Sequence, residues 1–137
     1  MNEMKISPLH LALEPGALAR NYALLERAIR TASALQADWV VAPELSISGY
    51  EFHDAIGTEW MAIHPDSWTL GICKLASLLK LTILFGHAER DTTGGLYNIA
   101  MMVRADGLIM ARHRKINTLA EPTSGLPGGL GSGSQWA

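Results

Sequence analysis

Two charged residues, Glu44 and Lys115, stand where an α/β protein can place reactive groups. Glu44 follows the apolar segment 39–42 directly after Pro43, and Lys115 closes a second apolar segment later in the chain. An acid and a distant lysine, each just past a strand end, suit a site that transfers protons and stabilises a developing oxyanion. The pair alone does not supply a nucleophile that attacks carbon.

The position of Glu44, at the carboxyl end of a buried strand, predicts that burial raises its pKa toward the range useful for a general base. A helix cap or a turn acid is the alternative for Glu44, and an exposed cation at a strand end is the alternative for Lys115. If both groups end strands of one sheet, we expect the carboxylate and the ammonium to converge within ~4–6 Å, the range over which opposite charges perturb each other.

Cys73 is the only cysteine, so the chain has no internal disulfide. It shares a predicted apolar helix stripe with Leu70, Ala76 and Leu79, where cysteine behaves as a small buried hydrophobe rather than a reactive thiol. Four of the histidines are scattered without a partner pattern, which favours structural or surface roles: His53, His64, His87 and His113. No metal is implied.

Composition narrows the class of partner. The 137 residues carry 11 basic and 13 acidic side chains and a formal charge of −2, without a basic run, which disfavours nucleic acid. Residues 1–5 lack a long apolar signal region, and the apolar runs are too short to span a bilayer, so we expect a cytoplasmic protein without a membrane partner. A small, nearly neutral substrate fits better.

The predicted elements follow the order β-α-β-α-β-β-β, which indicates an α/β mixed sheet with helices on one face. Pro8 should shorten the first strand or place it at an edge, and Gly86 should end the third strand. No glycine-rich phosphate loop follows a strand, so no nucleotide cofactor is supported. The predicted strands are 4–13, 39–42, 81–85, 97–103 and 108–113, the helices are 17–35 and 66–80, and segment 46–65 is irregular.

The end of the chain differs from the rest in composition. Segment 122–137 is rich in proline, glycine and serine and has only three large apolar side chains. Such a composition cannot bury enough surface to offset the entropy of ordering, which predicts a disordered tail after a single domain at 1–121.

Several short motifs in a compatible order resemble the amino-terminal half of the nitrilase superfamily of carbon-nitrogen hydrolases. The resemblance covers residues 5 to about 122 and implies the α-β-β-α sandwich fold of that family. The motifs that carry it are Pro43-Glu44-Leu45 with Gly49-Tyr50, Gly86 with Glu89-Arg90, Leu96 to Ala100 with Asp106-Gly107, and His113-Arg114-Lys115, together with Asn21.

The resemblance implies hydrolysis of a small amide, carbamoyl compound or nitrile without a cofactor. Glu44 would be the general base, Lys115 the oxyanion stabiliser, and Glu121 the second glutamate that many members place near the lysine. Tyr50 would shape the pocket wall beside Glu44, and Asn98 would hydrogen-bond beneath it. A solvated loop acid, a strand tyrosine and a turn asparagine are the respective alternatives. Dimers or larger spirals are the assemblies that the resemblance implies.

The chain departs from the family pattern at the nucleophile. In the family a cysteine follows the lysine by several tens of residues, whereas 22 residues without cysteine follow Lys115 here. We therefore expect a truncated or frameshifted, inactive form of a carbon-nitrogen hydrolase. The alternatives are a non-catalytic binding or assembly module that retains the half-site, and a fragment without function.

Overall fold

The computed structural model describes residues 3–116, which form a five-stranded mixed sheet in the order β1-β2-β3-β4-β5. Strands β1, β2 and β3 are parallel, and β3, β4 and β5 are antiparallel. The elements in chain order are β1 Ile6–Pro8, α1 Leu18–Ala34, β2 Trp39–Val41, α2 Phe52–Ile56, α3 Ser67–Leu79, β3 Thr82–Arg90, β4 Leu96–Val103 and β5 Ile109–Arg114. The short first strand lies at an edge, as Pro8 predicts.

Helix α1 lies within one residue of its predicted bounds at each end because its apolar residues recur at helical spacing. The face turned to the sheet buries Leu25, Ile29 and Ala32 together with the polar Asn21. Charged residues lie on the other side, where Arg30 and Glu26 form an exposed pair at 2.9 Å.

Helix α3 begins after Asp66, whose carboxylate accepts a hydrogen bond of 2.9 Å from the Thr69 amide as an N-cap. Its buried stripe differs from the predicted one and consists of Thr69, Ile72, Leu75 and Ala76. The predicted stripe was wrong at Leu70, which is 48% exposed, whereas Ala76 is fully buried and both Cys73 and Leu79 pack against the core from half-buried positions.

Strand β3 continues four residues beyond the predicted stop at Gly86. A Cβ at Gly86 would lie 2.6 Å from the Leu45 amide nitrogen, closer than real Cβ atoms approach a neighbour. Glycine therefore serves here for the close approach of another backbone segment, and it does not end the strand.

The sheet has two unlike faces, since successive side chains of a strand point to opposite sides. Helices α1 and α3 pack on the face that we call the covered face, whose fully buried residues are Val40, Ile83, Phe85, Met101 and Val103. The opposite side, the open face, presents partly or fully exposed residues that alternate with them: Val41, Leu84, Ala100, Met102 and Ala111.

The segment predicted to be irregular contains the short helix α2, which buries Phe52 against Leu45, Met61 and Ala88 in a second, smaller apolar cluster. Among residues 3–116, no helix is both long and apolar enough to cross a membrane. The predicted disordered tail, 122–137, and Glu121 lie outside the described residues.

Candidate active site

The loop that carries Glu44 runs beside β3 and is bonded to it at three places. The Ala42 amide donates to the Leu84 carbonyl at 2.8 Å, the Gly86 amide to the Pro43 carbonyl at 3.3 Å, and the Ser46 amide to the Gly86 carbonyl at 2.9 Å. Because Gly86 has no side chain, the loop can lie against the strand at this distance. The carboxylate is thereby held at the carboxyl end of β2.

Asn21 supports the same loop from helix α1, and its side chain is fully buried. Its amide nitrogen donates to the Ile47 carbonyl at 3.0 Å and to the Glu14 carbonyl at 2.8 Å, and its oxygen accepts from the Glu14 amide at 2.9 Å. The sequence offered Asn21 only as part of a family resemblance. A buried asparagine with three backbone bonds is a positioning residue for the Glu44 loop.

Lys115 reaches Glu44 across 71 residues of sequence. Its Nζ lies 2.7 Å from Glu44 Oε1, well inside the expected range for convergence. The Lys115 amide donates to the Asn98 carbonyl at 2.9 Å, which sets the register of the chain directly after β5. The two charged residues therefore meet at one end of the sheet.

Asn98 and Tyr50 complete the surroundings of the carboxylate. The Asn98 side-chain amide donates to Glu44 Oε1, the oxygen that Lys115 also contacts, and the Tyr50 hydroxyl donates to Oε2 at 2.8 Å. Both residues thus bind the carboxylate in this structure. Burial and the adjacent Glu44 raise the pKa of Tyr50 to about 12, so the hydroxyl keeps its proton near neutral pH.

The expected rise in the pKa of Glu44 was wrong. Burial alone would raise that pKa, but hydrogen bonds from Lys115, Tyr50 and Asn98 to the carboxylate outweigh it, and the pKa lies below its ordinary value. Glu44 is therefore ionised near neutral pH. An ionised carboxylate can accept a proton, and Lys115 beside it balances its charge.

A cavity of about 260 Å³ lies next to the pair on the open face. Its walls combine apolar strand residues with a few convergent polar groups, as small-molecule sites do. The lining residues are Ala42, Glu44, Leu84, Phe85, Gly86, Asn98, Ile99, Ala100, His113 and Lys115.

Cys73 lies apart from this constellation. It belongs to α3 and packs against the core beneath the covered face, whereas the cavity opens on the other side of the sheet. Burial raises the pKa of the Cys73 thiol, which disfavours the reactive thiolate. Geometry and ionisation both separate Cys73 from the Glu44 carboxylate.

A second polar cluster joins His64, Asp66 and His87, which no motif in the sequence indicates. Their donor atoms lie within 4.8 Å of one another, so these three residues could hold a metal ion. In this structure hydrogen bonds occupy them: His64 bonds the Ala88 carbonyl at 2.9 Å and the Thr69 hydroxyl at 3.0 Å, and His87 Nε2 bonds Asp66 at 2.8 Å.

This cluster gives His64 and His87 partners that the sequence pattern does not show. Asp66 links the start of α3 to β3, because it caps the helix and accepts from His87 on the strand. Burial lowers the pKa of His87. The bonds and the N-cap indicate a structural network beside the covered face.

The chain belongs to the carbon-nitrogen hydrolase family, whose sequence profile matches residues 9–130. It is similar to a Pseudomonas protegens protein called "Hydrolase in pqqF 5'region", with 30% identity over 89 residues, or 64% of this chain and 31% of the relative.

The fold matches part of the fold of nitrilase-type amidases. The NitN amidase of Nesterenkonia sp. AN1 superposes with a TM-score of 0.75 and 17% identity over 87% of this chain and 46% of the amidase. An N-terminal amidase gives a TM-score of 0.70 at 19% identity over 85% of this chain and 28% of that protein. The chain thus spans less than half the length of the relatives it matches here.

Proposed function

We propose that Glu44 and Lys115 form the general base and the oxyanion-stabilising cation of a site that hydrolyses carbon-nitrogen bonds in small amides. The observation that carries the proposal is the 2.7 Å contact between Lys115 Nζ and Glu44 Oε1 beside a cavity on the open face. Membership of the carbon-nitrogen hydrolase family supports the same reaction class. Small carbamoyl compounds and nitriles are further candidate substrates.

The chemistry requires a thiol, and Cys73, the single cysteine of the sequence, packs against the core away from this site. Glu44 would take the thiol proton as the sulfur attacks the carbonyl carbon, and Lys115 would stabilise the tetrahedral oxyanion. The carbon-nitrogen bond then breaks, and the amine or ammonia leaves with the proton that Glu44 returns. Glu44 next takes a proton from the water that attacks the thioester, and it returns this proton to the sulfur as the carbon-sulfur bond breaks, which releases the acid and restores the thiol.

Similar solved structures support a thiol as the missing group and an amide as the substrate. One structure of the Nesterenkonia amidase shows Michael addition of acrylamide at the active-site cysteine, and another holds butyramide. Asn98 and Tyr50 would hold Glu44 in place and contact the substrate, and Glu121 would act as a second glutamate near the lysine. In this proposal the 137-residue polypeptide is an inactive, truncated form.

The alternative function is a binding or assembly module that retains the pocket without turnover. The hydrogen bonds from Asn98 and Tyr50 to Glu44 favour this alternative, because they form a polar pocket that needs no nucleophile. Such a module would bind small amides and release them unchanged.

The DNA that follows the Ala137 codon separates the two functions. The enzyme proposal expects it to encode, in some frame, a cysteine on a strand-to-helix turn. A polypeptide extended to include that cysteine should release ammonia from butyramide, and Glu44→Gln should reduce the rate by about 10²–10⁴-fold, the usual contribution of a general base. Butyramide binding without ammonia release by the extended polypeptide would support the module instead.

A further inference from the structure

Glu89 is a buried carboxylate that receives two arginines from one strand. It lies on β3 with its side chain only 2% exposed, and its two oxygens contact Arg112 Nη1 at 2.7 Å and Arg114 Nε at 2.8 Å. The two arginines are two residues apart on β5, so they project from the same side of that strand. Charge-assisted bonds to both carboxylate oxygens fix the end of β5 against β3.

Two further contacts restrain Arg114. Its guanidinium carbon lies 3.8 Å from the centre of the Tyr97 ring, and its Nη1 lies 3.9 Å from Asp91 Oδ2. A cation stacked on an aromatic face and bonded to a buried carboxylate has little freedom to rotate. Arg114 is thus the best-anchored side chain that we find on β5.

Strand β5 needs such an anchor because it pairs only with β4 within the described residues. Most of its side chains are exposed, so apolar packing contributes little to its position. Its last residue, Arg114, pairs with Ile99, and the next amide, that of Lys115, bonds the Asn98 carbonyl at 2.9 Å. Neighbouring side chains of an extended chain point to opposite faces, so an anchored Arg114 directs Lys115 toward Glu44.

We propose that Glu89 is a positioning residue, which acts through Arg112 and Arg114 to hold Lys115 against Glu44 from the opposite face of the sheet. The inference rests on the proposed function of the Glu44–Lys115 pair. Glu89 itself touches neither the cavity nor the pair, and its effect passes through the backbone at residues 114 and 115.

The ionisation of Glu44 provides the test, since Lys115 is one of the groups that lower its pKa. The pKa of Glu44 is measured by carbon-13 NMR on side-chain-labelled glutamate, with its resonance assigned from Glu44→Gln. Lys115→Met gives the reference rise in that pKa. Glu89→Gln should produce a rise at least half as large, and adding Glu89→Gln to Lys115→Met should produce no further rise.

Asp106→Asn is the matched control, because Asp106 is also a carboxylate paired with an arginine, Arg104, but lies exposed in the turn before β5. It should leave the pKa of Glu44 unchanged. If Glu89→Gln does not fold, Arg114→Met decides, since Glu89 then keeps Arg112, and this variant should also raise the pKa of Glu44.

Three results would overturn the inference. A melting temperature lowered by Glu89→Gln with an unchanged pKa of Glu44 would show that Glu89 serves stability alone. An unchanged pKa of Glu44 in a folded Arg114→Met variant would break the path through Arg114. An unchanged pKa of Glu44 in Lys115→Met would show that the two groups are not coupled, and the proposed function would then fail together with the positioning role of Glu89.

Discussion

The two faces of one sheet show how the same strands can serve two purposes. On the covered face, Ile83, Phe85 and Met101 are at most 1% exposed beneath α1 and α3. On the open face, their neighbours Leu84, Ala100 and Met102 remain partly or fully exposed and lead to the cavity at Glu44. The covered face contributes packing to the stability of the fold, whereas the open face offers a cavity that solvent can reach.

Polar residues follow the same division. Beside the covered face, His87 and Glu89 are buried with partners that tie strands and helices together. At the open face, the side chains of Glu44 and Lys115 are 32% and 41% exposed and lie next to a cavity, where a substrate could reach them. Buried polar groups with fixed partners stabilise structure, whereas accessible polar groups beside a cavity are available for chemistry.

The largest expected effect concerns turnover, because within residues 3–116 the open face holds the Glu44 carboxylate and the Lys115 ammonium but no thiol. The 137-residue polypeptide should release no ammonia above background from small amides or nitriles. Loss of the nucleophile in a triad-type enzyme lowers turnover by about six orders of magnitude. Cys73→Ala, assayed beside the parent, is the control. Turnover in the parent that disappears in this variant would mean that Cys73 reaches the open face.

The next largest effect compares adjacent residues on the two faces. Ile83→Ala, on the covered face, should lower the free energy of unfolding by about 2–5 kcal/mol because it leaves a cavity in the core. Leu84→Ala, on the open face, should cost clearly less, since its side chain already contacts solvent. Urea unfolding followed by circular dichroism measures both. Equal losses would show that the open face is packed as tightly as the covered one.

A smaller effect is expected at Gly86, where the strand and the Glu44 loop touch. Gly86→Ala places a Cβ 2.6 Å from the Leu45 amide nitrogen and 2.7 Å from Glu44 Cα. Relief of this overlap should cost about 1–3 kcal/mol, as overpacking usually does. The displaced carboxylate should also lose its bond from Lys115, so its pKa should rise.

Ala100→Val is the control for Gly86→Ala, because Ala100 pairs with Gly86 across β3 and β4 but is exposed. It should change stability by less than about 0.5 kcal/mol, as surface substitutions usually do. A tolerated Gly86→Ala with an unchanged pKa of Glu44 would mean that the loop has room to move.

The smallest expected effect concerns the pH dependence of folding stability, to which Asp66 beside the covered face contributes. Burial alone would raise the pKa of Asp66, but bonds from His87 and the Thr69 amide outweigh it and lower that pKa to about 2. A carboxyl whose folded pKa is depressed stabilises the protein above its unfolded value, so this contribution should fade as the pH drops from about 4 to 2.

Asp66→Asn should remove that part of the pH dependence, because an asparagine side chain does not ionise but can still cap the helix. At neutral pH the substitution should lower the free energy of unfolding by about 1 kcal/mol. Urea unfolding at a series of pH values measures it. The lowered pKa of His87 adds a loss that begins nearer pH 6.5, because the unfolded state binds the proton more readily. If stability depends on pH in Asp66→Asn as it does in the parent protein, other groups cause the loss of stability at low pH.

The sequence by itself determined helices α1 and α3, the order of the strands along the chain and the two charged residues at strand ends. Helix α1 and the start of α3 depend on residues within a few positions of one another, so local sequence patterns predict them. Glu44 and Lys115 could be proposed because each follows an apolar segment that reads as a strand. Their convergence could be predicted from the rule that residues at the ends of strands in one sheet can meet.

Only the tertiary structure decided what depends on distant segments. The pKa of Glu44 falls instead of rising because Asn98 and Lys115, 54 and 71 residues away, both donate to its carboxylate. Strand β3 continues through Gly86 because another backbone lies against it, and His87 meets Asp66 across 21 residues. Local pattern fixes which element a residue joins, but hydrogen bonds and desolvation between elements depend on three-dimensional packing, which no local window contains.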